Sequence, residues 1–174
     1  MLAVMLAALA APEAQAQEQK IGYVNTDQLL EKLPDYEGIR EQLQLLAADW
    51  KKELASKENE IDRLRAQFQQ REILFSDSVR IQRQGEIEAL VQERQRYMEQ
   101  HFGPDGDYFQ RQQELLKPLQ QRIMEAVGVV AQRQEFDFVF DRARQSSMLF
   151  GGEEWNLNEA VLRQMGISPD ETSN

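Results

Sequence analysis

A mostly helical α+β fold, with a long antiparallel helical hairpin inserted into a small β-sheet head, is what this 174-residue sequence predicts. Three observations carry the expectation. Two strand-like segments, KIGYVN at 20–25 and EFDFVFD at 135–141, stand about 115 residues apart. Between them, apolar residues recur at helical spacing, with no proline or glycine from Ile39 through Gln84. One polar break, Ser76-Asp77-Ser78, falls near the middle of that stretch. A lone strand leaves its backbone N–H and C=O groups unpaired, so the two end segments call for each other.

The chain opens on MLAVMLAALAAPEAQA, which reads as a targeting segment and not as structure. The apolar run Met1–Ala11 is too short to cross a bilayer. It leads to a small-residue site, Ala14-Gln15-Ala16, so a signal peptide over 1–16 with cleavage after Ala16 is expected. No later segment is apolar and long enough to serve as an integral membrane anchor.

Ile21, Tyr23 and Val24 are good strand formers. From Glu37 the pattern turns helical, with Ile39, Leu43, Leu46, Trp50, Leu54, Ile61, Leu64, Phe68 and Phe75 mostly three or four apart. Lys57 and Arg71 fill two positions of the same stripe. The stripe is narrow, as in a coiled coil. A helix from Glu37 to Phe75 would be about 60 Å long. Ser and Asp compete with the helical backbone and cap new helices, which makes Ser76–Ser78 the turn. Ile87, Leu90, Arg94, Tyr97 and His101 then resume the spacing on a return helix. Facing residues should sum to roughly 153, on the geometry of a tight helical hairpin. That sum sets FGPDGD (102–107) opposite Leu46–Trp50, and predicts a broken helix whose gap the Trp50 indole fills. It also sets Pro118 opposite Asp35, beside Pro34, as the root of the arm.

Beyond Pro118 the helical spacing continues through Leu119, Ile123, Val127 and Val130. In EFDFVFD, Phe136, Phe138 and Phe140 share one strand face, and Asp137, Val139 and Asp141 the other. A turn over 142–146 then leads to a third strand, Ser147–Phe150, stopped by Gly151-Gly152. Asn158 is the expected cap of a last helix, Glu159–Met165, ending at Gly166. So small a head cannot cover Phe136, Phe138, Phe140, Leu149 and Phe150 by itself, and association between copies is the economical answer.

The formal net charge is −10, which argues against a nucleic-acid partner. The chain has no cysteine and a single histidine, His101, which reads as a seam residue. Glu86 and Glu88 are two apart and do not share a helix face. No phosphate loop, metal set or nucleophile–base pair is present in the sequence, so neither enzyme nor cofactor is expected. Arg63, Arg65, Arg71, Arg80 and Arg83 outnumber Glu72 and Asp77 between residues 63 and 83, a local charge of +3 at the hairpin tip. Beside them stand Ile73, Leu74 and Phe75.

Taken together, KIGYVNTDQLLEKLPDYEG, the tip ILFSD, QQELLKPLQQRIMEAV, EFDFVFD and LNEAVLRQMGI resemble the OmpH/Skp family of periplasmic chaperones, in that order and spacing. The resemblance implies a jellyfish-shaped homotrimer. Strands from three heads would make its body, and three arms would hold unfolded outer-membrane β-barrel proteins without ATP. It divides the chain into the signal peptide, a head of 17–36 plus 119–174, and an arm of 37–118 with its tip near 73–80. On this reading Ile21, Tyr23, Val24, Phe136, Phe138, Phe140, Leu149 and Phe150 join the subunits. Arg63, Arg65, Arg71, Ile73, Leu74, Phe75, Arg80 and Arg83 meet the client. The chain departs from the family's best-studied members in being acidic where they are basic, which weighs against direct binding of lipopolysaccharide. The alternative from the residues alone is a structural coiled-coil adaptor of the cell envelope, whose arms grip one folded partner.

Overall fold

The computed structural model describes residues 19–144 and 148–168. Strand β1 (Ile21–Val24) pairs in parallel with β2 (Phe138–Asp141), in the register Ile21 with Phe138 and Tyr23 with Phe140. Parallel neighbours cannot be joined by a tight turn and need a long crossover. Here the whole helical hairpin is that crossover, and this is how the chain ends come to share one sheet. The predicted signal peptide lies outside the described residues.

Helix α1 (Thr26–Glu31), in a stretch to which the sequence pattern assigns no element, starts directly after β1. Asn25 caps it, its side-chain oxygen accepting from the Gln28 N–H at 3.1 Å. Helix α2 (Pro34–Arg71) begins three residues earlier than expected, because Pro34 sits in its first turn, where no hydrogen-bond donor is needed. It also ends sooner than Phe75. The last turn tightens into a 3-10 segment, Glu72–Leu74, and Phe75 is already extended. Ser76 caps α3 (Asp77–Phe102), so Asp77 and Ser78 belong to the new helix.

The return helix does break where predicted. Helix α3 ends at Phe102 and α4 runs from Asp107 to Arg133. Gly103 and Gly106 are required there by close backbone approach. A Cβ on Gly103 would collide with the Glu99 carbonyl, and one on Gly106 would lie 2.9 Å from the Gln100 carbonyl oxygen. Residues 103–106 leave the helical path, and the pairing sum changes across them. Above the break Lys57 meets Glu93, Glu58 meets Arg94 and Trp50 meets His101, sums of 150 to 152. Below it Arg122 meets Asp35 at 2.7 Å, a sum of 157. Pro118 therefore does not stand opposite Asp35. It lies within α4, which continues through it.

The core belongs to the base. Leu119, Ile123, Ala126, Val127 and Val130 of α4 pack with Val24, Leu29, Leu30, Leu33, Leu157, Val161 and Leu162. Helix α5 (Asn158–Gln164) closes this layer and ends at Gly166, whose φ of +78° suits glycine. Asn158 is not its cap. Its side-chain oxygen instead accepts from the Asn25 N–H at 2.8 Å, tying α5 to the end of β1. Asp141 makes a second tie, accepting from the Thr26 hydroxyl at 2.7 Å and the Thr26 N–H at 3.2 Å. Of the described residues of α2 and α3, only Leu43 and Ile61 are buried, as the narrow stripe implies.

The third strand is absent among the described residues. Met148–Phe150 are irregular, and Ser147 lies outside the described set. The second neighbour of β1 is a single bridge from Tyr23 to Asn156. The sheet therefore stops at two strands, in the order β1-β2.

Candidate functional site

Two surfaces stand apart from the ordinary polar exterior: the outer face of the sheet and the tip of the hairpin.

Alternation along the paired strands sets Gly22, Val24, Val139 and Asp141 toward the helices and Ile21, Tyr23, Phe138 and Phe140 away from them. Of the outer set, Ile21, Phe138 and Phe140 stay uncovered, and Leu149 and Phe150 extend the patch; these five are 45–89 % exposed. Single exposed apolar residues are ordinary, but three on one sheet face, with two more in the loop whose Gly151 borders Tyr23, mark an interface. Three predicted members are placed differently. Tyr23 is 2 % exposed, because Gly151 and Met148 close over its ring. Val24 faces the chain's own core. Phe136 precedes β2, follows Glu135 at φ +58°, and turns inward to meet Trp155 with ring centroids 6.3 Å apart. Its ring fills the space over Gly22, where a Cβ would come within 2.9 Å. Neither Gly22 nor Trp155 stood out in the sequence, because their partners lie more than a hundred residues away or across an irregular loop.

At the far end, Ile73 and Leu74 are 91 % and 78 % exposed on the 3-10 turn. Phe75 folds back instead, its ring centroid 5.9 Å from that of Phe68. The predicted arginine cluster is largely neutralised by its own helices. Arg63 pairs with Glu60, Arg65 with Asp62, Arg80 with Asp77 and Arg83 with Glu86, at 2.9–3.6 Å. Three of these carboxylates lie just beyond the 63–83 window, and over 60–86 five arginines meet five acids. Arg71 alone of the five has no ion pair among the described residues.

Between the two surfaces the seam is polar at intervals. Lys57 donates to Glu93 across the hairpin at 2.7 Å and lies over the Tyr97 ring. That hydrogen bond, with the charge behind it, holds the Glu93 carboxyl below the usual carboxylate range and raises the Lys57 ammonium. A depressed carboxyl contributes stability that is present above its ordinary pKa and is lost as pH falls through the depressed value. Acid should therefore loosen the hairpin slightly, on the acid side of the carboxylate range. Lys57→Met should reduce that part of the acid loss, read as the melting temperature from pH 7 down to pH 3. An unchanged pH profile would show the pair contributes nothing.

At the break, Trp50 stacks on His101 (centroids 4.4 Å, planes 20° apart) and meets Phe102 edge-on. His101 also touches Tyr97, and its Nδ1 lies 2.7 Å from an Asp107 oxygen beyond the glycines. The indole thus packs on the last turn of α3, beside the break that the spacing predicts. In a chain whose Trp155 is replaced by Phe, Trp50 should emit at short wavelength and resist aqueous quenchers. A solvent-like spectrum would remove the stack.

Among the described residues no group of His, Cys, Asp and Glu could hold a metal ion, and no helix is long and apolar enough to cross a membrane.

The family model for outer membrane protein (OmpH-like) matches residues 20–165. The chain is 30% identical over 168 residues to the chaperone protein Skp of Vibrio cholerae serotype O1 (strain ATCC 39315 / El Tor Inaba N16961), covering 93% of this chain and 92% of that one. Its fold is similar to the crystal structure of a protein described as an OmpH-like outer membrane chaperone from Caulobacter crescentus CB15. The TM-score is 0.64 over 83% of this chain and 82% of the other, at 12% identity.

Proposed function

The chain belongs to the OmpH-like outer membrane protein family, and from that premise we propose that it is an ATP-independent holdase chaperone of the periplasm. It holds unfolded outer-membrane β-barrel proteins and has no enzymatic activity. Its signal peptide, 1–16, is removed after Ala16. Residues 17–36 and 119–174 act as the assembly head and 37–118 as the arm. Three heads join through the outer sheet face, and three arms enclose the client.

The observation that carries this reading is the uncovered apolar face of Ile21, Phe138, Phe140, Leu149 and Phe150 at the base of a hairpin too thin to have a core. Covering that face sets the arms side by side. The arms then offer long Arg, Lys and Gln side chains, apolar in the stem and polar at the head. Such contacts are individually weak, so release needs no energy source. A rigid adaptor would want a second continuous apolar seam along the outside of the arm. Leu45 on α2, Val79 and Ile81 on α3 and Phe109 on α4 are exposed there, but no exposed large apolar residue lies between Leu45 and the tip or between Ile81 and Phe109 among the described residues.

The test is direct. The mature chain, 17–174, is sized by light scattering and then added to an unfolded β-barrel protein diluted from denaturant. A trimer that keeps the client soluble without nucleotide is the expected result. A monomer that leaves aggregation unchanged would end the proposal.

A further inference from the structure

Phe75 leaves the helical path at the tip and turns back on Phe68, and the fold-back opens a notch between α2 and α3. Its volume is about 130 Å³, with apolar walls from Leu64, Phe68, Phe75 and Ile87. Gln67, Arg71, Arg83 and Glu86 also line it, so its polar wall carries two guanidiniums and one carboxylate. The two arginines are not equivalent. Arg83 is held by Glu86 at 2.9 Å, and Glu86 accepts a second hydrogen bond from Gln82 at 3.0 Å. Those two bonds keep the Glu86 carboxyl below the usual range and its charge engaged. Arg71 has no carboxylate of its own among the described residues. The notch therefore combines a small apolar space with one free guanidinium at its wall.

We infer that this notch takes the carboxy-terminal residue of an unfolded polypeptide, with the apolar last side chain between Phe68 and Phe75 and the terminal carboxylate on Arg71. The inference rests on the proposed reading that the arm meets unfolded chains. Size selects the apolar part. A cavity of about 150 Å³ lined by Leu, Ile and Phe holds one benzene ring, so this one takes a single aromatic or branched side chain and no lipid acyl chain. Charge selects the other part. A guanidinium binds a carboxylate through paired, charge-assisted hydrogen bonds. Covalent geometry then favours a chain end over an internal acid. At a carboxy terminus the side chain and the carboxylate leave the same Cα. In an extended internal segment the next side chain points to the opposite face, so an acid beside an apolar residue would face away from Arg71.

The experiment uses the full mature chain and a ten-residue unstructured peptide labelled at its amino terminus and ending in Phe, followed by fluorescence anisotropy. Amidating the peptide's last carboxyl should weaken binding about tenfold, the effect of losing a hydrogen bond to a charged group. Ending the peptide in Ala should weaken it by a similar factor. Arg71→Gln should abolish the difference between acid and amide, and Phe68→Ala the difference between Phe and Ala ends. Far-UV circular dichroism of each variant establishes that the hairpin is intact, and Arg71→Lys should restore part of the acid preference. Equal binding of acid and amide by the unaltered chain would overturn the inference, as would an acid preference that survives Arg71→Gln. So would Arg71-dependent binding to anionic phospholipid vesicles with none to the peptides. The two readings fail separately. A chain that keeps an unfolded β-barrel protein soluble but treats acid and amide alike loses only the notch. A chain that binds the acid through Arg71 yet protects no client loses only the holdase reading.

Discussion

Replacing Ile123 by Ala should destabilise the base by about 2–5 kcal/mol, the usual cost of emptying a fully buried aliphatic site. Ile123 is 1 % exposed and sits mid-way along the buried face of α4, among residues from β1, α1 and α5. Those partners come from opposite ends of the chain, so the side chain is a junction between segments and not a local contact. Little slack is available to close the gap, because α4 is held on one side by the Arg122–Asp35 pair and on the other by the Arg133–Gln164 hydrogen bond, both at 2.7 Å. The melting transition of the mature chain is the measurement, with Leu45→Ala as the control. Leu45 is 70 % exposed on the hairpin and its truncation should move the transition very little. If Ile123→Ala melts with the unaltered chain, the packed layer described here does not hold the two ends together.

The hairpin was legible because helical periodicity is a local signal. Each member of the Leu43–Ile61–Phe68 stripe announces itself by its neighbours, and Ser76 caps a helix whether or not the rest of the fold exists. The break at Gly103–Gly106 was legible for the same reason. The head was harder, because its structure depends on contacts far apart in sequence. The pairing of 20–25 with 135–141 followed from the need to satisfy lone strands, and the register Ile21–Phe138 agrees with it. The third strand failed where that reasoning had no partner to name. Phe136 was misread by extending strand alternation two residues ahead of β2, to the residue that directly follows the turn at Glu135, whose φ is positive. The tip charge was misread by counting within a window, when Arg63, Arg65 and Arg83 find their carboxylates one to three residues outside it. What remained after that pairing, the unpartnered Arg71 beside an apolar notch, could be seen only with the side chains in place.

The largest effect is expected at the outer sheet face. A chain carrying Phe138→Asp and Phe140→Asp should be monomeric at micromolar concentration while keeping its helical circular dichroism. Both rings are about half exposed in the single chain, so their loss costs the chain's own core little. In the proposed trimer they become interior. Truncating a central aromatic residue at an interface commonly costs 2 kcal/mol or more, and burying an unpaired carboxylate in its place costs further. Threefold symmetry repeats both penalties in every subunit, so a modest loss per residue becomes decisive for assembly. The same argument assigns a consequence to function. A monomer keeps the arm and its tip but has no neighbouring arms, so it should lose the ability to keep a full-length β-barrel client soluble while still binding a short peptide at the tip. Light scattering reads the first effect, and client aggregation beside peptide anisotropy reads the second. A double variant with the mass of the unaltered chain would show that this face is not where the copies meet. A monomer that protects clients as well as the parent would show that enclosure between arms is not how they are held.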